Sequence, residues 1–88
     1  MKVTFRSSFN RDLKKIRDKA ALHKIREIIC KAETASDLSD LRDCKKISGD
    51  KGYYRIRTGD YRVGVFLADN ELEFVRCLHR RDIYRVFP

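Results

Sequence analysis

The sequence predicts an α+β fold: an N-terminal strand, an α-helical hairpin, then a mostly antiparallel twisted sheet, in the order β-α-α-β-β-β. Three observations predict it. Residues 2–6 alternate apolar with polar, residues 9–29 place apolar side chains at helical spacing, and residues 53–78 hold three runs rich in Tyr, Val, Phe and Ile. At 88 residues the chain has room for a single domain, 1–88, with one modest core.

Each element follows in turn. Val3 and Phe5 alternate with Lys2, Thr4 and Arg6, which reads as a short strand. Ser7 or Ser8 offers an N-cap to a helix in which Phe9, Leu13 and Ile16 recur at i, i+4 and i+7. Arg11, Asp12, Lys14, Lys15 and Arg17 fall on its other side. A second helix runs from about Lys19 to Ala35 with Leu22, Ile25, Ile28 and Ile29 as its buried stripe; the alternative is one helix broken near Asp18. His23 reads as a surface histidine on it. Ser36 to Asp43 is a loop or a turn of helix around Leu38 and Leu41. Lys45-Lys46-Ile47-Ser48 could start a strand, and Gly49-Asp50-Lys51-Gly52 marks a turn. The strands Tyr53–Thr58, Tyr61–Ala68 and Glu71–Leu78 close the chain's regular structure.

Composition narrows the function. Cys30, Cys44 and Cys77 are odd in number and widely spaced, giving neither a disulfide framework nor a zinc spacing, so free thiols in a reducing compartment are expected. No apolar run approaches the roughly 18 residues of a membrane span, so the expectation is a soluble, cytoplasmic protein with no membrane partner. The formal net charge of +8 favours a polyanionic partner. Its distribution says more than its size. Residues 1–50 carry eight lysines and five arginines, whereas residues 51–88 carry one lysine and seven arginines. Arginine's planar fork suits bidentate phosphate binding and base stacking, so the second half reads as a recognition surface.

Two-residue turns let the strands be counted against one another. Gly59-Asp60 suits a type II′ turn, which pairs Thr58 with Tyr61, Ile56 with Val63 and Tyr54 with Val65 on an apolar face. The opposite face then sets Arg57 against Arg62, Arg55 against Gly64 and Tyr53 against Phe66. Like charges directly opposed destabilise a sheet by up to about 1 kcal/mol, so their retention points to a seat for an anion. Gly64 would leave open space beside Arg55 for a nucleotide to approach the backbone. The plain alternative is three arginines on a solvated face. Asp69-Asn70 suits a type I′ turn and pairs Leu67 with Leu72 and Val65 with Phe74. Continued counting sets Arg62 against Cys77 and brings His79 onto the arginine face. It also drops Arg76 onto the core face opposite Val63, which requires either a snorkelling side chain or a β-bulge. Cys77 reads as a small packed thiol.

The segment His79-Arg80-Arg81-Asp82-Ile83-Tyr84-Arg85 gathers an imidazole, three guanidiniums and a phenol. Such a set suits RNA cleavage by attack of a ribose 2′-OH on the adjacent phosphate. That reaction needs a base for the hydroxyl, cations for the developing phosphorane charge and a proton for the leaving 5′-oxygen; it needs no metal and no small-molecule cofactor. An aromatic ring can also stack on an unpaired base. Taken alone, the same segment is equally a basic tail for acidic partners.

Together, Tyr54-Arg55-Ile56-Arg57, Asp60-Tyr61-Arg62-Val63 and His79-Arg80-Arg81-Asp82-Ile83-Tyr84 resemble the RelE-type toxins of bacterial and archaeal toxin–antitoxin pairs, over nearly the whole chain. The resemblance implies a RelE-like fold and a ribosome-dependent mRNA endonuclease that enters the ribosomal A site and is held inactive by a cognate antitoxin. Carried across, Arg62 contacts the scissile phosphate, Arg80 or Arg81 stabilises the transition-state charge, and Tyr84 stacks on and orients the nucleotide. His79 stands near a functional position of some relatives. Where familiar members place lysines, one of them a proposed general base, this chain has Arg55 and Arg57, which stay protonated in proteins. The base expected here is His79, with Tyr84 or a ribosomal group as the alternatives. The candidate catalytic set is therefore Arg62, His79, Arg80, Arg81 and Tyr84. Arg55, Arg57, Tyr53 and Arg85 are the candidate RNA-binding residues. The same superfamily admits a ParE-like inhibitor of DNA gyrase, and a basic RNA-binding domain without catalysis is the third reading.

Overall fold

The computed structural model describes residues 1–47 and 52–88. The turn expected at Gly49-Asp50-Lys51-Gly52, and Ser48 at the end of the preceding strand, lie outside the described residues except for Gly52. Strand β1 (Lys2–Phe5) leads into α1 (Ser7–Lys15) and α2 (Lys19–Thr34). A 3₁₀ turn at Leu38–Asp40 and a short β2 (Cys44–Lys46) follow. Then come β3 (Tyr53–Thr58), β4 (Tyr61–Ala68), β5 (Glu71–His79) and a single helical turn, α3 (Ile83–Val86). The five strands form one sheet in the order β1-β5-β4-β3-β2, with β1 parallel to β5 and every other pair antiparallel. This is the α+β class expected from the sequence.

The helical hairpin is two helices. Ile16 leaves α1 in extended conformation, and Asp18 starts α2 by accepting from the backbone N–H groups of Ala20 and Ala21 at 2.9 and 3.2 Å. Neither Ser7 nor Ser8 caps α1: Arg6 occupies that position without a side-chain bond, and Ser8 turns away to donate to the Val75 carbonyl at 2.6 Å. Phe9, Ile16, Ile25 and Ala32 of this layer bury themselves with Ile56, Val63, Val65, Leu72, Phe74 and Cys77 of the sheet.

Both turns have the conformations that set the register. Gly59 alone takes a left-handed φ of +58° in the first, while Asp69 and Asn70 both take positive φ in the second. All six β3–β4 pairs match the count from the sequence, Arg57 opposite Arg62 included. The β4–β5 count holds only as far as Val65 opposite Phe74. There a bulge accommodates Val75 as an extra residue, and the pairing resumes with Gly64 opposite Arg76, Val63 opposite Cys77 and Arg62 opposite Leu78. The bulge resolves the Arg76 conflict. Cys77, not Arg76, joins the core.

The same region explains a second departure. Asp12, expected on the solvated side of α1, is only 5% exposed. Strand β1 stops at Phe5, so β5 is left with an open edge beyond Phe74. Helix α1 runs along that edge and satisfies it: Asp12 Oδ2 accepts the Cys77 backbone N–H at 2.9 Å, and its carboxylate takes the Arg76 guanidinium in a fork at 2.8 and 3.2 Å. A buried charge is tolerable when it is paired and hydrogen-bonded in this way.

Candidate functional site

The sheet face away from α1 and α2 carries two unlike halves. One is a second apolar cluster, in which Val75, Ile83 and Phe87 are buried against Ile47, Tyr53, Phe66 and Leu78. The other is cationic. Cross-strand pairing sets Arg57 beside Arg62 and Lys45 of β2 beside Arg55. Arg80 joins them because its backbone N–H donates to the Asp60 carbonyl at 2.8 Å, which ties the chain after β5 to the β3–β4 turn.

Arg62 is the centre of this half. Its Nη1 donates to the carbonyls of Gly59 and Tyr61 at 2.9 and 3.0 Å, so the guanidinium is braced on the turn with donors left over. Burial, then repulsion from Arg55 and Arg57, lower its pKa below the ordinary value; Tyr84 opposes the shift and Arg80 adds to it. Like charges held this close are a stored demand for an anion. Among the described residues, Asp43 forms an ion pair with Arg57 at 3.7 Å, and no carboxylate lies within ion-pair distance of Arg55, Arg62 or Arg80. Tyr84, 59% exposed on α3, accepts a hydrogen bond from Arg55 Nε at 2.9 Å. Its ring and hydroxyl thus stand at the border of the cationic half.

The structure therefore brings together Arg55, Arg57, Arg62, Arg80 and Tyr84. Five expected placements are corrected. His79 is not on the arginine face: the bulge shifts the register by one, His79 pairs with Tyr61, and their rings meet edge-on at 5.9 Å on the helix side. Arg81 follows it, donating from its backbone N–H and its Nε to His79 Nδ1 at 3.2 and 3.4 Å, which separates it from Arg80. Tyr53 belongs to the second apolar cluster, with its ring 4.8 Å from Phe66 and 5.6 Å from Phe87, and is not presented for base stacking. The space above Gly64 is taken by the Phe87 ring. Arg85 points to Asp82, with which it forms an ion pair.

Lys45 was missed. The run Lys45-Lys46-Ile47-Ser48 could start a strand, but it does not show that Lys45 pairs with Arg55. Cys77 is buried, and desolvation followed by the charge of Asp12 pushes its thiol up to about 12, so it is a packing group. Among the described residues no three His, Cys, Asp or Glu side chains are grouped to hold a metal ion, and no helix is long and apolar enough to cross a membrane.

Comparison with known proteins agrees with this architecture. Residues 3–84 match the family described as the ParE toxin of type II toxin–antitoxin systems, parDE. Toxin RelE3 of Methanocaldococcus jannaschii is 42% identical over 89 residues, covering all of both chains. A chain of a RelB–RelE antitoxin–toxin complex from Methanococcus jannaschii superposes with a TM-score of 0.82 at 37% identity, over 97% of this chain and 99% of that one. A chain of the RelBE2 toxin–antitoxin complex of Mycobacterium tuberculosis matches at 28% identity and a TM-score of 0.65, over 92% of each. Full-length identity, the family match and the shared fold lead to one assignment: the chain belongs to the RelE-type toxins of the RelE/ParE superfamily, the toxin component of type II toxin–antitoxin systems.

Proposed function

We propose that this toxin is a ribosome-dependent mRNA endonuclease working in the cytoplasm, and that Arg62 grips the scissile phosphate. The observation that carries the reading is the cation cluster around Arg62, with Arg55 bonded to the Tyr84 hydroxyl at its border. In the reaction the ribose 2′-oxygen forms a bond to phosphorus, the bond from phosphorus to the 5′-oxygen breaks, and a 2′,3′-cyclic phosphate remains. The 2′-OH gives up a proton and the 5′-oxygen gains one. Arg62, with Arg57 and Arg80, stabilises the extra negative charge of the pentacovalent state, where charge-assisted donors act most strongly. Tyr84 stacks on the nucleotide, and its O–H remains free to donate because its oxygen is oriented by Arg55. Among the described residues of the cationic half, Tyr84 and Lys45 can exchange a proton, whereas arginine keeps its own.

A cognate antitoxin is the partner that the family and the RelB-bound relatives support. The protein's cationic excess suits an antitoxin with acidic residues on its contact surface. The gyrase-inhibitor reading uses the same fold but gives no task to the Arg55–Tyr84 pair. One experiment separates them: induce the toxin without its antitoxin and map mRNA 5′ ends on stalled ribosomes. In-frame cuts within codons are expected. DNA damage with intact message would establish the gyrase reading instead, and an unaffected host would leave a binding protein without catalysis.

A further inference from the structure

We infer that the contact between Gly64 and Phe87 is a positioning device that sets Tyr84 against Arg55. The inference rests on the proposed role of Tyr84 at the nucleotide.

Helix α3 is one turn of four residues, far too short to hold its own conformation. Its place is set by what flanks Tyr84. Ile83 and Phe87 are spaced i, i+4, are 0% and 3% exposed, and enter the second apolar cluster together. Tyr84 projects from between these anchors, and its polar contact is with Arg55 Nε at 2.9 Å.

The floor beneath Phe87 is Gly64. A Cβ added there would lie 2.8 Å from three carbons of the Phe87 ring, which side chains do not tolerate. Gly64 does not have the positive φ that marks Gly52 and Gly59, so its backbone makes no demand for glycine. A glycine inside a strand weakens the strand and commonly marks close approach of another group. Here that group is the Phe87 ring. Gly64 is also the cross-strand partner of Arg55, so the seat of Phe87 and the base of the Arg55 side chain are adjacent on one face. Lifting the ring off Gly64 lifts α3 at its far end and draws the Tyr84 hydroxyl away from Arg55. Arg57, Arg62 and Arg80, which grip the phosphate, stand on β3, β4 and the segment after β5, and their contacts are with Asp43, the β3–β4 turn and Asp60 rather than with α3.

The test compares Gly64→Ala, Phe87→Leu and the double variant, using the full-length toxin. Two readouts are needed: single-turnover cleavage on programmed ribosomes, and the Arg55 Nε–Hε resonance of the free toxin. Gly64→Ala is expected to lower the chemical rate about 30-fold, as misplacement on the ångström scale does. Apparent substrate affinity should stay within about twofold, and the Arg55 signal should move to that of a solvated guanidinium. Leucine at position 87 makes room for the added methyl, so the double variant should recover both rate and signal. A wild-type rate and unchanged signal in Gly64→Ala would overturn the inference, as would a double variant no better than the single. Should Gly64→Ala fail to fold, Phe87→Ala must abolish the same Arg55 signal with Gly64 intact; a retained signal overturns the inference. The resonance is read without RNA. A wild-type toxin that cuts no message would therefore refute the endonuclease reading while leaving the positioning claim to its own measurement.

Discussion

The two faces of the sheet are built from one alternating sequence and treat it differently. Toward α1 and α2 the pleat presents Ile56, Val63, Val65, Leu72 and Phe74, and all are buried. On the other face the alternate residues divide, with Tyr53, Phe66 and Leu78 under α3 and Phe87, and Lys45, Arg55, Arg57 and Arg62 left to gather charge. The first face is what makes the chain fold. The second spends part of its area on repulsion, which is sensible only where an anion relieves it. Function and stability should therefore separate by face.

Arg62→Ala tests that separation most severely. Removing the central donor is expected to cut RNA cleavage by about 10²- to 10³-fold, the range for losing one transition-state donor. The melting temperature should hold or rise, because the deletion relieves repulsion from Arg55 and Arg57 and the carbonyls it leaves at Gly59 and Tyr61 are reachable by water. Unfolding by the variant would break the comparison.

Asp12→Ala is the converse, a change on the helix side. It leaves the Arg76 guanidinium and the Cys77 N–H without their acceptor, at a cost of about 3 kcal/mol in urea denaturation. Cleavage per folded molecule should remain within about twofold of wild type, since the arginine face is untouched.

The contrast also shows what could be read in advance. Where a two-residue turn joins two strands, counting from it assigned every β3–β4 pair, so the Arg57–Arg62 opposition was legible. The bulge at Val75 was legible only as a conflict, because alternation on β5 demanded Arg76 in the core. Its resolution depends on Asp12, whose helical position looks solvated until α1 is laid along an open strand edge. The second apolar cluster was hidden for a similar reason. Tyr53, Phe66 and Gly64 reach Ile83 and Phe87 only through the folded return of the chain's end, and a gap at Gly64 looks the same in sequence whether a ring or a ligand fills it. Lys45 lies on a strand of three residues, too short for alternation to fix its partner.

Lys45→Ala sharpens the boundary of the cationic half. Being at the sheet edge and exposed, Lys45 should contribute through screened attraction to the RNA backbone, worth about a tenfold change in cleavage efficiency at low salt. The deficit should shrink as salt is raised. A salt-independent deficit would place Lys45 at the reacting group instead.

His79→Gln carries the smallest expected effect and the sharpest consequence for the register. Counting without the bulge puts His79 among the arginines, as the candidate base. With the bulge it faces Tyr61, and its Nδ1 is engaged by Arg81. Glutamine offers an oxygen to the same Arg81 donors, so the local turn should persist. Cleavage on ribosomes should then stay within about twofold of wild type across pH 6 to 8, with no lost acid limb. A rate that falls tenfold and ceases to depend on pH would mean that the imidazole reaches the substrate after all. That result would require the end of β5 to rotate on ribosome binding, since a one-residue slip is what moves a side chain from one face of a strand to the other.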